Sequence, residues 1–312
     1  MVVLFSQPLF KSYRAPVLSC SFIFCLFLLL IAIILPFFLA FSTYEFWKKQ
    51  ETYFEQPKVL YRKELLISIL SESTSVSDSS ITTTTSSHFF STQGKLNEMY
   101  FESLSPMKID SALIDFNFDK YPDSYEFNIT AYTPSSQIRS IKILTFYDYS
   151  IRERISLDMI SMSLAEIETP TGAGYTFIDG FLEFHQRSLL KTSEIINTKY
   201  NDTILSNSSA VENSLDKLIM RFNDRNFTTK YNYGSSTATL NQGFTQIFLK
   251  LRVPVSQKFE YSPSFLEVMK FSWIQYLSLL IPVGFFIYSF AQFIYSNQIL
   301  ESQVNYSDKL IK

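Results

Sequence analysis

Outside its first apolar run the chain carries no cysteine, because Cys20 and Cys25 are the two it has. That excludes a disulfide framework, or a cysteine-built metal or thiol centre, for everything downstream. A small secreted domain often needs such staples, yet about 230 residues can bury a sufficient core without them. Histidine is nearly as scarce, at two residues, and glycine stops at seven. No glycine-rich loop of the kind that cradles phosphate is present, and Gly172-Ala173-Gly174 reads as a turn. Charge is thin as well: 18% of residues, against about 25% in ordinary soluble domains. The net charge of −2 offers no basic face and so no nucleic-acid partner.

The missing charge is concentrated in two places. Ala15 to Thr43 holds no Asp, Glu, Lys or Arg, and neither does Phe271 to Leu300. Residues 17–41 read VLSCSFIFCLFLLLIAIILPFFLAF. As a helix this stretch reaches roughly 37 Å at 1.5 Å per residue, enough for a hydrocarbon core of about 30 Å. Each of its Leu, Ile, Phe and Val residues favours insertion by about 0.3–0.6 kcal/mol, and no charge opposes them. The run is much longer than the roughly 7–15 residues of a secretory signal core, so a signal anchor is expected over a cleaved signal. Residues 271–295 form the second span, with Trp273 and Tyr276 at one end and Tyr288 and Tyr295 at the other, as interfacial aromatics. Pro282 is expected to kink it, and Gln275 and Gln292 fall near its ends.

Orientation follows from Lys11 and Arg14, which precede the first span with no acid beside them and favour a cytoplasmic N-terminus. The sequons at Asn128, Asn201, Asn207 and Asn226 all lie between the spans, where a luminal acceptor has to be. The expected order is therefore a cytoplasmic N-terminus (1–16), span 17–41, a luminal β-rich domain (42–270), span 271–295 and a cytoplasmic tail (296–312). Asn305 also opens a sequon, but this order places it in the cytoplasm, where it stays bare.

Period-2 alternation dominates the intervening domain. Tyr125, Phe127, Ile129 and Ala131 share one strand face, and Asn128 lies on the other. Ile247, Leu249, Leu251, Val253 and Val255 alternate in the same way. Further strands are expected at 112–118, 138–149 and 155–165, and at 175–190 with a fold-back at Asp179-Gly180, a favoured hairpin pair. Residues 71–87 hold thirteen Ser or Thr and too little to bury, which predicts a disordered loop. Leu215, Leu218, Ile219 and Phe222 space as one helix face, with Asn213 as cap. The fold class is then α+β: two transmembrane helices flanking a mostly antiparallel, sandwich-like β domain with one or two helices. Both ends of that domain return to the bilayer, so the spans are expected side by side. His88 and His185 read as solvated, and Asp148, Glu153 and Asp158 as surface charge. Nothing calls for a cofactor, a metal or a small-molecule substrate, or for an enzyme.

The segments bordering the spans are more specific. Ser12-Tyr13-Arg14-Ala15 precedes the first span; Phe46-Trp47-Lys48 and Glu55-Gln56-Pro57 follow it. Arg225-Asn226-Phe227-Thr228-Thr229, Arg252-Val253-Pro254-Val255 and the run from Tyr261 through Pro263 to Glu267 come later, before Lys270-Phe271-Ser272-Trp273-Ile274-Gln275-Tyr276. Together they resemble the transmembrane protein 231 family, in register from about residue 11 to 300 and weakest through 71–210. The resemblance implies a non-enzymatic membrane component of the ciliary transition zone. Its implied partners are the other membrane and membrane-associated proteins of the Meckel syndrome, or tectonic-like, complex. The implied role is in the barrier between ciliary and plasma membranes, in ciliogenesis and in Hedgehog signalling. Two other classes share the two-span layout: a glycosylated accessory subunit of a transporter, and a two-span channel. Both usually carry extracellular cysteines, which this chain lacks.

Overall fold

The computed structural model describes residues 10–17, 19–43, 46–77, 80–133, 137–170, 172–192, 197–202, 214–238 and 243–307. The chain divides into two compact units, one of residues 1–49 with 263–312, the other of residues 50–262. In chain order the elements are β1 (Phe10–Arg14), α1 (Cys20–Ser42), β2 (Glu51–Glu55), β3 (Lys58–Ser77), β4 (Ser80–Ser91), α2 (Gly94–Met99) and a 3₁₀ turn (Phe101–Ser103). There follow β5 (Met107–Ile114), β6 (Ser124–Ala131), β7 (Ile138–Ile151), β8 (Leu157–Glu168), β9 (Tyr175–Gln186), β10 (Leu190–Lys191) and β11 (Asn197–Tyr200). The last are α3 (Leu215–Asn223), β12 (Phe227–Ala238), β13 (Thr245–Arg252), β14 (Gln257–Ser262), α4 (Phe265–Ser296) and β15 (Gln303–Ser307).

In the first unit α1 and α4 lie side by side, and β1 pairs antiparallel with β15. Ser19 caps α1, its hydroxyl accepting from Phe22 N–H. Ser264 does the same for α4 from Glu267 N–H, with Glu267 in the first turn. That Ser-x-x-Glu capping pair starts the helix at Phe265, six residues before the apolar run that marks the expected span. α4 continues through Pro282 as one element.

The second unit is α+β. Its sheets run β11-β8-β7-β3-β4, β12-β9-β13-β6-β5 and β10-β14-β2. Most pairs are antiparallel; β9 with β13, β8 with β11 and β10 with β14 are parallel. One core is shared by all three sheets, built from the alternating faces of β3 (Ile67, Ile69), β7 (Ile141, Ile143), β6 (Phe127, Ile129) and β13 (Ile247, Leu249). Phe259 and Tyr261 of β14 join it. The opposite face of the first sheet is also covered: Leu66, Leu144, Phe146 and Met162 pack with Leu218 and Phe222 of α3 and with Leu96 of α2. Burial on both faces is why the centre of β7, from Ile143 to Tyr147, is apolar apart from Thr145.

Two buried side chains tie the sheets together. Gln257 on β14 accepts from Tyr149 O–H at 2.7 Å and from Phe184 N–H at 3.2 Å, and donates to Leu182 O at 2.7 Å. Tyr125 on β6 donates to Val59 O at 2.8 Å and accepts from Tyr61 N–H at 3.2 Å; burial pushes its hydroxyl up to about 12. At the β8 edge, side chains replace a partner strand. Arg225 donates to Ile160 O, Thr229 Oγ1 bonds both Met162 N–H and O, and the Tyr233 hydroxyl bonds both Glu166 N–H and O. These contacts occupy an edge that would otherwise be open for pairing.

The structure corrects three expectations, the first being the strand expected at 112–118, which instead runs from Met107 to Ile114. Residues 71–87 were expected as a disordered loop, but 71–77 and 80–87 continue β3 and β4 as a hairpin, in register from Ser71↔Ser86 to Ser77↔Ser80; residues 78 and 79 lie outside the described residues. Hydroxyl pairs bridge the strands, Ser71 to Ser86 and Ser73 to Thr84, each at 2.7 Å. Thr favours extended backbone, and the β3–β4 ladder, backed by β7 as far as Ser71, carries on into the segment although few of the side chains described there are buried. The fold-back at Asp179-Gly180 is also absent: β9 runs unbroken from Tyr175 to Gln186. A Cβ on Gly180 would lie 2.2 Å from Asn232 O of β12, so the glycine serves a close approach of strands. Gly172, at φ 91°, closes a turn by donating its N–H to Thr169 O at 3.1 Å. Ser214 sits at the α3 cap position, and Asn213 lies outside the described residues.

Gly180→Ala is expected to destabilise the fold by about 1–3 kcal/mol, since the clash is with backbone. Gln257→Leu is expected to cost about 2–4 kcal/mol by stranding the Tyr149 hydroxyl and two backbone groups. Thermal unfolding of the purified full chain measures both.

Candidate membrane-border site

The helix pair is fastened at each end by small and aromatic side chains. At one end the Ser21 hydroxyl donates to Glu301 O at 2.6 Å, Tyr295 O–H donates to Ser21 O at 2.9 Å, and the Tyr13 and Tyr295 rings lie 6.2 Å apart. Tyr13, Arg14, Ser21, Cys25, Tyr295 and Ser302 line a cavity of about 440 Å³ there. At the other end the Ser272 hydroxyl reaches Phe46 O and Val268 O, and Lys48 Nζ sits 5.1 Å above the Phe271 ring. Tyr276 O–H donates to Ile33 O at 3.3 Å. Ala40, Ser21 and Ser272 are buried, which lets the backbones approach.

Phe37, Phe41, Phe46, Trp47, Trp273 and Tyr276 surround an apolar cavity of about 420 Å³ at this second end. Elsewhere the pair turns its bulk outward: Phe38, Ile281, Phe285 and Phe286 are each more than 60% exposed. Two helices of 23 and 32 residues with such bare apolar flanks are stable in hydrocarbon and not in water.

A family model described as transmembrane protein 231 matches residues 1–304. The chain belongs to the transmembrane protein 231 family. It is 28% identical to transmembrane protein 231 of Xenopus tropicalis, covering 95% of this chain and 93% of the relative. It is 27% identical to that of Gallus gallus, over 96% and 92%, and 26% identical to that of Homo sapiens, over 95% and 92%. A solved proton-activated chloride channel aligns over 88% of this chain and 99% of its own at 9% identity. Its TM-score of 0.28 is too low for a shared fold to be argued. As a member of the transmembrane protein 231 family, the protein is a membrane protein with two candidate transmembrane helices.

The border residues singled out in the sequence fall into separate groups. Tyr13 and Arg14 meet Tyr295 at the first end; Trp47, Trp273 and Tyr276 meet around the aromatic cavity. Gln275 is half-buried, with Oε1 enclosed and lacking a hydrogen-bond partner among the described residues. Pro263 directly precedes the α4 cap residue. Pro57 belongs to the β unit, buried in the turn between β2 and β3. Ser21, Phe46, Ser272 and Tyr295 complete these contacts; Phe46 and Ser272 lie inside the border segments and Tyr295 among the interfacial aromatics, whereas Ser21, a single hydroxyl within the first apolar run, went unmarked.

Asn128 and Asn226 are exposed. Asn128 projects from β6, whereas Asn226 sits just before β12, its N–H donating to the Tyr200 hydroxyl at 3.2 Å. Asn201 is exposed after β11, and Asn207 lies outside the described residues. Among the described residues no group of three or more His, Cys, Asp or Glu is placed to hold a metal. Asp148 pairs with Arg62 and Asp158 with Arg152, each at 2.7 Å. His88 is half-buried with Nε2 2.9 Å from the Ser71 hydroxyl, and burial holds its imidazole below the usual range. His185 shifts the same way, through burial and then through Lys230 and Arg187.

A base whose folded value is depressed binds more protons when unfolded. Stability is then full above the ordinary imidazole value of about 6.5 and is lost as pH falls through it. His88→Gln is accordingly expected to weaken the fall in unfolding temperature between about pH 7.5 and 5.5, as read by thermal scans of both proteins.

Proposed function

We propose that the chain is a non-enzymatic membrane component of the ciliary transition zone. There it acts with the other membrane and membrane-associated proteins of the Meckel syndrome, or tectonic-like, complex. In this reading it contributes to the barrier between ciliary and plasma membranes, and so to ciliogenesis and Hedgehog signalling. The observation that carries the reading is the family match across 304 of 312 residues, which takes in both helices and the whole β unit. The architecture suits the role: two spans with apolar flanks can pack laterally against other membrane proteins.

In the same reading both termini are cytoplasmic and the β unit is luminal. The β1–β15 pairing supports a common side for the termini, Lys11 and Arg14 support the cytoplasmic one, and exposed Asn128 and Asn226 supply glycan acceptors on the other.

A tagged copy in ciliated cells is expected to form a band between markers of the basal body and the axoneme. Signal spread over the plasma membrane with none at the ciliary base overturns the role. Glycosidase treatment is expected to increase gel mobility, and Asn128→Gln with Asn226→Gln to reduce that shift; an untreated-like band in every case overturns the orientation.

A further inference from the structure

The aromatic cavity beside the α1 C-terminus has features that membrane anchoring alone does not require. We propose that it is a sterol-binding site, which holds the fused-ring body of a membrane sterol with its hydroxyl at the tryptophan rim. The inference rests on the two spans and not on the transition-zone role.

The surrounding medium narrows the occupant. A cavity in the flank of a lipid-embedded helix pair is filled by lipid or by another helix. At about 420 Å³ it falls within the range of small-ligand pockets, roughly 300–1,000 Å³. Along α4 its lining runs from Met269 to Tyr276, about 10 Å at 1.5 Å per residue. A neighbouring helix needs a groove that continues along its axis, and this one ends after two turns. No charged side chain lines it, so it does not select a phosphate headgroup.

Its walls hold one another in place. Phe37 and Phe41 stack at 17° with centroids 6.4 Å apart. Phe46 stands edge-on to both, at 5.6 and 6.3 Å, and Trp273 lies 5.9 Å from Tyr276. Such a pocket is formed before anything enters it. A rigid, flat ring system loses little conformational freedom on entering, whereas an acyl chain must freeze many torsions. The one polar group of a sterol also has a place to go. Trp47 and Trp273 are 50% and 60% exposed, and tryptophans at a bilayer border lie at headgroup depth with an indole N–H to donate.

The test uses the full chain in native membranes with a photoreactive, alkyne-tagged cholesterol analogue, and in parallel a photoreactive phosphatidylcholine. Sterol adducts are expected within 37–47 and 269–276, displaced by excess cholesterol and not by phosphatidylcholine. Met269→Trp, which fills the cavity, and Trp273→Ala, which removes a wall, are each expected to cut sterol labelling about tenfold. Phe285→Ala, outside the cavity on the bare flank of α4, is expected to leave it unchanged. Resistance to carbonate extraction and an unaltered unfolding temperature confirm that each variant is intact. Undiminished labelling in intact Met269→Trp overturns the proposal. So do adducts spread evenly along α4, displacement by phosphatidylcholine, or crosslinks at these residues that run only to another polypeptide.

Discussion

Each unit of this protein is closed by pairing its first element with its last. β1 pairs with β15 and α1 packs along α4 in one unit, and β2 pairs with β14 in the other, Glu51 opposite Tyr261. A chain whose ends are both committed to lipid has little alternative, because an apolar helix in water leaves its whole surface unsatisfied. The entropy of bringing distant segments together grows only slowly with loop length, by about 0.6 kcal/mol per doubling. Insertion of two long apolar helices outweighs that cost easily. With the ends of the β unit held by their mutual ladder, the remaining strands fold between them.

The β unit then holds together without disulfides, since it has no cysteine. Its first sheet is buried on both faces, by the second sheet on one side and by α2 and α3 on the other. Apolar contact does not by itself fix how three sheets register against each other. Gln257 and Tyr125 supply that specificity, because each is buried with hydrogen bonds that only one arrangement satisfies. The side chains on the β8 edge add a second lock, from Arg225, Thr229 and Tyr233 spaced four apart. The sequence marked Arg225 and Thr229 only as part of a family segment and Tyr125 only as one residue of an apolar strand face. Their roles depend on partners some 65 residues away, which no local pattern encodes.

The membrane unit shows the same division. Burial-free apolar runs mark the helices, but the aromatic cavity exists because Phe37, Phe46 and Trp273 come from different segments whose backbones Ser272 and Ala40 allow to meet. The tryptophans were legible as border residues; that they face a shared hollow was not.

By itself, the sequence determined which two runs are long and apolar enough to span a membrane, which strands alternate, and which family the chain joins. All three are read from runs of neighbouring residues whose free energy is local or additive. The tertiary structure decided what local composition left open or misdirected. Ser and Thr at 71–77 and 80–87 extend a hairpin because β3 was already paired, and Gly180 lets two strands touch instead of turning one back. In each case a long-range neighbour outweighed the residue's own preference, since propensities are worth tenths of a kcal/mol and a strand ladder or a backbone clash is worth several times more.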